Sequence, residues 1–500
     1  MQSRANASSG PARQGNAQNA NGQPRQNSQP QRSGGTQRGP ARTVNRTASQ
    51  QRTAGGAPQQ FRQSSASGVR PAGNGVSREN AVSTAQQSKK GTKKEAVNRL
   101  IKRVNKTNAE IVKGTVSGYK TVIRKKDIVR EEGSIDYVFL VLVLILVAFG
   151  TVMVYSASYA YARNEYGDSY HFLFRQCVFI AVGALGMFVT SRMEPRWFIA
   201  LSPIYYVFCT LAMIAVLFIG TEHGGAKRWI DVGFTELQPS EFMKLGLIML
   251  LACYVDINYE KITDRNNLFR ATIYGTLMPV LMIGFTCLLV IVQPHLSGAI
   301  IMFLIGMIMI YMSGSPLHLL GAFAGAGGTI FLLVGLFTPY MRNRLDTWFH
   351  PENDPQGSGF QTLQGLYAIG SGGLFGEGLG NSYQKHHFVS QPQNDFIFTI
   401  LCEELGFVGA MAVIALFIML IWRGIKIAMK ATDVFSTMLV LGIIGKLALQ
   451  TVMNIAVVTN TIPNTGVSLP FFSYGGSALI VAMAEMGMVL SISRYSKISK

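Results

Sequence analysis

Acidic side chains are nearly missing from the first quarter of this chain. Met1 to Glu132 holds 25 Lys and Arg against six Asp and Glu, and the other 368 residues hold 20 of each sign, so the whole net charge of +19 lies in that first segment. Aliphatic periodicity is missing there too: residues 1–93 are mostly Gln, Asn, Ser, Gly, Arg, Thr, Ala and Pro. Such a stretch cannot bury enough apolar area to offset chain entropy, so it is expected to be a disordered basic tail. It lacks the leading apolar run of a cleaved secretory signal. It also lacks aromatics interleaved with its cations, which argues against nucleic acid and for anionic lipid headgroups as its partner. Cysteine is scarce, five residues with no CxxC spacing, which excludes a disulfide framework or a cysteine zinc site. Cys177, Cys209, Cys253, Cys287 and Cys402 lie in or beside apolar runs and read as small packing residues.

What the chain has in quantity is long apolar runs. Residues 94–132 form a basic amphipathic juxtamembrane segment, with Val97, Ile101, Val104, Asn108 and Ile111 at helical spacing among Lys and Arg. From 135 to 495, runs able to cross ~30 Å of hydrocarbon follow one another closely. They are read at 135–158, 170–191, 197–220, 239–256, 271–292, 295–313, 316–338, 396–422, 433–459 and 470–492. The expected fold is an all-α polytopic membrane protein of about ten transmembrane helices. Arg192, Arg196, Lys261, Arg265, Arg270, Arg423, Lys426 and Lys430 gather on one set of loops. The positive-inside rule then puts both termini in the cytoplasm. Gly406 and Ala410 give the eighth span a small-xxx-small face suited to close helix packing.

The connection from Pro339 to Gln393, between spans seven and eight, is long enough to suggest function, and it falls on the extracytoplasmic side. It holds an apolar piece at 360–369 and a glycine cluster from Gly370 to Gly380, read as half-helices joined by flexible backbone. No Gly-Lys-Ser/Thr follows, so the cluster is not a nucleotide loop. Asp395 ends this connection where the eighth span begins. It could cap that helix, or accept a proton from a sugar hydroxyl as a general base; sequence alone leaves these about even. Arg175, Glu241, Lys244, Glu403, Glu404, Lys446 and Glu485 lie within or at the ends of spans, where charge is costly. Glu241 with Lys244, and Lys446 with Glu485, read as pairs. Arg175, Lys244, Lys227 and Arg228 are candidates for holding a pyrophosphate.

Several runs taken together resemble the SEDS family of shape, elongation, division and sporulation proteins, the FtsW, RodA and SpoVE type. They are Val154–Ser158, Gly225–Trp229, Gln238-Pro239-Ser240-Glu241 with Lys244, Gln293-Pro294, Gly359-Phe360-Gln361, Asn394–Phe398 with Glu403-Glu404-Leu405-Gly406, and Leu469–Ser477. The last run contains Ser473, Gly475 and Gly476. The resemblance implies a peptidoglycan glycosyltransferase that polymerises lipid II outside the membrane and releases undecaprenyl pyrophosphate. It further implies Asp395 as the essential acid, and as partners a class B penicillin-binding transpeptidase and divisome proteins. His295 and Thr465 depart from the family pattern, and the Gln384–His387 run is closer to the division and sporulation branch. No cofactor is readable, and a divalent cation, magnesium or manganese, stays open. The rival readings are a lipid II flippase and a non-catalytic divisome scaffold.

Overall fold

The computed structural model describes residues 133–495, apart from 224–225, 234, 265, 316–320, 324, 330–332, 334–338, 387 and 390. The tail, the juxtamembrane segment and most of the seventh span therefore lie outside the described residues. The described part is dominated by helices. In chain order they are α1 (Tyr137–Tyr166), α2 (His171–Arg192), α3 (Pro195–Ile219), α4 (Pro239–Ile262), α5 (Leu268–Val292), α6 (Leu296–Met312), α7 (Pro339–Phe349), α8 (Phe360–Ser371), α9 (Ile397–Lys430), α10 (Val434–Val458) and α11 (Gly476–Arg494). Seven of them, α1, α2, α3, α5, α9, α10 and α11, are long and apolar enough to cross a membrane. The helix read at 239–256 is α4, whose Glu241, Lys244 and other charges lower its apolarity. The sixth span is the short apolar α6.

Local sequence explains where these helices start and stop. Asp136 accepts a bond of 3.0 Å from the Phe139 amide and opens α1, which closes on Gly167 in the left-handed region. Pro195 and Pro239 occupy first turns, where a missing N–H costs nothing. Asp433 caps α10 through the Ser436 amide. A π-helical turn at Ile273–Leu277 interrupts α5.

Burial orders the bundle. Within its most apolar stretch α11 is 78% buried and α10 61%, against 22% for α3. The chain's last helix is thus a central post, and earlier helices turn Phe208, Phe218, Leu185 and other large side chains outward, as lipid contact allows. The α2–α11 contact is close: a Cβ on Gly487 would fall 2.3 Å from the Met187 carbonyl oxygen, and Thr190 donates to the Ala484 carbonyl at 2.9 Å. A small residue permits this approach and a hydroxyl fastens it.

Gly406 does something other than the packing role expected of it. Its φ of 66° breaks α9 into two segments, and a Cβ there would lie 2.4 Å from the Gly376 nitrogen. The break seats residues 373–378 against the helix. The Phe407 amide donates to Gly373, and the Glu377 and Gly378 amides donate to the carbonyls of Glu403 and Glu404. The glycine cluster is therefore a set of fixed turns rather than flexible backbone. Gly376, at φ 78°, approaches the Glu404 carbonyl too closely for any side chain.

Candidate active site

Between α3 and α4 the chain forms a small antiparallel sheet in the order β1 (Thr221–His223), β2 (Ala226–Asp231) and β3 (Glu236–Leu237). Alternation along β2 separates two neighbouring cations. Lys227 is exposed, whereas half-buried Arg228 turns into a cavity and donates to the backbone carbonyls of Gln293 and Pro294. The cavity has a volume of about 370 Å³. Arg228, Glu241, Lys244, His295, Arg344, Asp395, Thr465, Gly475 and Gly476 all line it. A second cavity of about 580 Å³, lined by Arg175, Gln393 and Asp231, shares Trp229, Glu236, Asn394, Tyr474, Gly475 and Gly476 with the first.

Asp395 is held by its backbone. Asn454, fully buried in α10, donates from Nδ2 to the carbonyls of Asp395 and Val467, each at 2.7 Å. Two residues earlier, the Gln393 carbonyl accepts from the Tyr474 amide at 2.8 Å. No side chain caps α9, whose N-cap position is Phe396. Capping, the alternative role for Asp395, is thus not what its carboxylate does. That carboxylate faces the cavity. Burial raises its pKa, partly offset by its own backbone amide and by the Arg344 charge.

The other expected residues divide clearly. Lys244 and Glu241 reach the cavity already paired, Nζ to Oε1 at 2.7 Å. Arg175 lies against the Tyr474 phenol in the second cavity. The Gln293 side chain is buried and donates to the Met213 carbonyl at 2.7 Å, so it shapes the wall from behind. Ser473 accepts from the Leu469 amide at 2.7 Å and closes a turn. Glu403 and Glu404 are buried away from both cavities. Glu403 accepts from the Ser382 hydroxyl and the Tyr383 amide, and Glu404 from Ser156 and from Lys385 Nζ at 2.7 Å. Gln361, in the first turn of α8, and exposed Lys227 line neither cavity. Lys446 and Glu485 form the expected buried pair at 2.5 Å.

Sequence reasoning missed Arg344, Asn454 and Lys385. A polar residue inside an apolar span was the available signal for Asn454. Nothing local marked Arg344 as a cavity residue or Lys385 as a fully buried one. The cavity walls also hold buried polar atoms with no hydrogen-bond partner among the described residues: Ser240 Oγ, His295 Nδ1, Asn394 Oδ1 and Thr465 Oγ1. Such atoms normally find partners, so their gathering here suits a polar ligand. Among the described residues no group of three or more His, Cys, Asp or Glu could hold a metal ion.

These features define a class: a helical membrane protein whose bundle opens at one end onto two adjoining, cation-lined cavities, one of which holds the Asp395 carboxylate. Residues 136–498 match the FtsW/RodA/SpoVE family of cell cycle proteins. Stage V sporulation protein E of Bacillus subtilis is 39% identical over 365 residues, covering 72% of this chain and 98% of that protein. The probable peptidoglycan glycosyltransferase FtsW of Trichlorobacter lovleyi is 38% identical over 369 residues, covering 73% and 94%. Among solved structures, a chain of a peptidoglycan synthase complex that coordinates polymerization and crosslinking matches with a TM-score of 0.59 at 29% identity, covering 72% of this chain and 98% of that one. The rod shape determining protein RodA of Thermus thermophilus matches with a TM-score of 0.53 at 28% identity, covering 73% and 98%. This chain belongs to the FtsW/RodA/SpoVE family, on its division and sporulation side.

Proposed function

We propose that this chain is a peptidoglycan glycosyltransferase that uses Asp395 as general base and lipid II as substrate. The observation that carries the reading is a backbone-anchored carboxylate facing a cavity that also holds Arg228, Lys244 and Arg344. In the reaction, Asp395 accepts the proton of the incoming sugar 4-hydroxyl, whose oxygen attacks the anomeric carbon of the growing strand. The anomeric bond to undecaprenyl pyrophosphate breaks as the new glycosidic bond forms. A raised pKa makes the carboxylate a stronger proton acceptor once ionised. Cations near the leaving group offset the charge that develops on the pyrophosphate. Arg228 and Lys244 serve one cavity and Arg175 the other, and two joined cavities suit a reaction between two lipid-linked molecules. Lys227, Gln361 and Ser473 take no part in this chemistry, Gln293 holds the cavity wall, and Glu403 and Glu404 hold the connection that leads to Asp395.

The reading includes ten membrane crossings with both termini in the cytoplasm, and a class B penicillin-binding transpeptidase as partner within the divisome. The solved synthase complex supports such pairing of polymerization with crosslinking. The test is polymerisation of purified lipid II by the purified full chain, with and without that transpeptidase. Asp395→Asn keeps the shape and removes the proton acceptor. General-base assistance is worth ~10²–10⁴ in rate, so the variant should fold, bind its partner and make almost no glycan. Wild-type polymer from Asp395→Asn would remove Asp395 from the chemistry. A wild-type chain that moves lipid II across liposome membranes but makes no polymer would restore the flippase reading.

A further inference from the structure

α9 runs from the candidate active site to the opposite end of the bundle, and a third cavity lies there, of about 320 Å³. Arg423, Lys426 and Lys430, on successive turns of α9, form one wall, and Ser134 to Val138 at the start of α1 form the other. Asp136 is the acid that lines it, and it is taken up twice. It caps α1, and it pairs with Arg423 at 2.8 Å. Lys426 lies 3.4 Å from the centre of the Trp422 ring, and no carboxylate within 4 Å pairs with Lys426 or Lys430 among the described residues. Cations at this helix end partly serve the α9 dipole. That role needs neither a cavity nor the apolar rim beside it. Tyr137, Val138 and Val141 of α1 and Trp422, Ile425 and Met429 of α9 are all exposed large apolar side chains next to the basic pocket.

We infer that this cavity binds the phosphate of an anionic phospholipid headgroup, with the acyl chains lying along the outer faces of α1 and α9. Charge selects the ligand class: a pocket with three cations and one committed acid favours a phosphate over a zwitterion. The apolar rim selects the lipid over a free phosphate, because a soluble anion gains nothing from Val141 or Ile425. Trp422 stands where an aromatic ring marks the level of a membrane interface.

The test uses the full chain in detergent micelles, titrated with dioleoylphosphatidylglycerol, dioleoylphosphatidylcholine or glycerol phosphate and read by native mass spectrometry. Wild type should retain phosphatidylglycerol at least about tenfold more tightly than phosphatidylcholine, since each charge-assisted contact is worth about tenfold or more. Lys426→Gln with Lys430→Gln should abolish that preference, while Arg423 and its pair with Asp136 stay intact. The exposed Lys430→Gln alone should weaken it by about tenfold and provides the readout if the double variant fails to fold. Because the basic tail attracts any anionic surface, Arg192→Gln with Arg196→Gln is the control of equal charge, and it should leave the preference nearly unchanged. Equal loss in the control, or an unchanged preference in the Lys430 variant, would overturn the site. Glycerol phosphate bound as tightly as the lipid would overturn the assignment to a lipid.

Discussion

Replacing Lys385 tests whether the long connection before Asp395 is held by buried charge. Its side chain is fully buried and its Nζ lies 2.7 Å from Glu404 Oε1, whose carboxylate also accepts from Ser156 at 2.7 Å. The same ammonium stands 4.8 Å from the centre of the Tyr159 ring. Lys385→Met keeps much of the volume and removes the charge, leaving Glu404 buried without its cation and matched by one hydroxyl and a weak amide contact. Breaking a buried pair from one side costs ~3–5 kcal/mol, whereas replacing both members by neutral groups is often close to neutral. Lys385→Met and Glu404→Gln should therefore each lower the thermal midpoint of the purified protein strongly. The double variant should lose much less than the sum of the two single losses, with a coupling at or above the upper end of the usual ~0.5–3 kcal/mol. Proteolysis should show whether the loss is local: residues 377–385 are anchored on Glu403 and Glu404, so cleavage there should precede cleavage in the helices. Single variants costing under ~1 kcal/mol, or strictly additive losses, would refute the argument and make the pair incidental to how the loop is held.

Asp395 and two glycines give further outcomes. Asp395 acts as base only when ionised, and burial raises its pKa while Arg344 holds it down. Polymerisation should thus fall as pH drops through that raised pKa, and Arg344→Gln should move the acidic limb to higher pH; an unmoved limb would disconnect Arg344 from the carboxylate. The sign for stability is opposite to that of an ion-paired acid. Protonation relieves the buried charge, so Asp395→Asn should unfold no earlier than wild type near neutral pH. Gly406→Ala places a Cβ 2.4 Å from the Gly376 nitrogen at a φ of 66°, which should cost ~1–3 kcal/mol and loosen residues 373–378. Gly284→Ala in α5, where nothing lies within 4 Å, should be neutral or slightly stabilising in the same melting assay.

Much of the fold was legible because lipid imposes a length and a polarity on any span. α1, α2, α3, α9 and α10 stand within a few residues of the runs read for them, apart from the longer C-terminal ends of α1 and α9. Glu485 and Lys446 were found because charge in a span demands a partner. Turn geometry was the part that hydropathy could not carry. Gly406 sits in a small-xxx-small pattern that reads as packing, yet its work is a left-handed break, and only the approach of residues 373–376 reveals it. The glycine cluster read as loose for the same reason: composition reports conformational freedom, not the hydrogen bonds that remove it. Strand alternation likewise separates Lys227 from Arg228, which looked equivalent as adjacent cations.

The distribution of buried charge carries the strongest argument for one carboxylate over the rest. Glu241, Glu404 and Glu485 each have an ammonium within 2.7 Å, Asp136 has the Arg423 guanidinium at 2.8 Å, and Glu403 accepts from a hydroxyl and backbone amides. Each of these carboxylates already has a close partner for its charge or its oxygens, as buried polar groups normally do. Asp395 differs in kind. Its backbone carbonyl is fastened by Asn454, while the carboxylate is left facing the cavity with Arg344 acting on it only through its charge. Fixed position with unspent basicity is what proton abstraction needs. A structural acid needs the reverse, and Asp136, Glu241, Glu403, Glu404 and Glu485 each have a close partner of their own in the bundle.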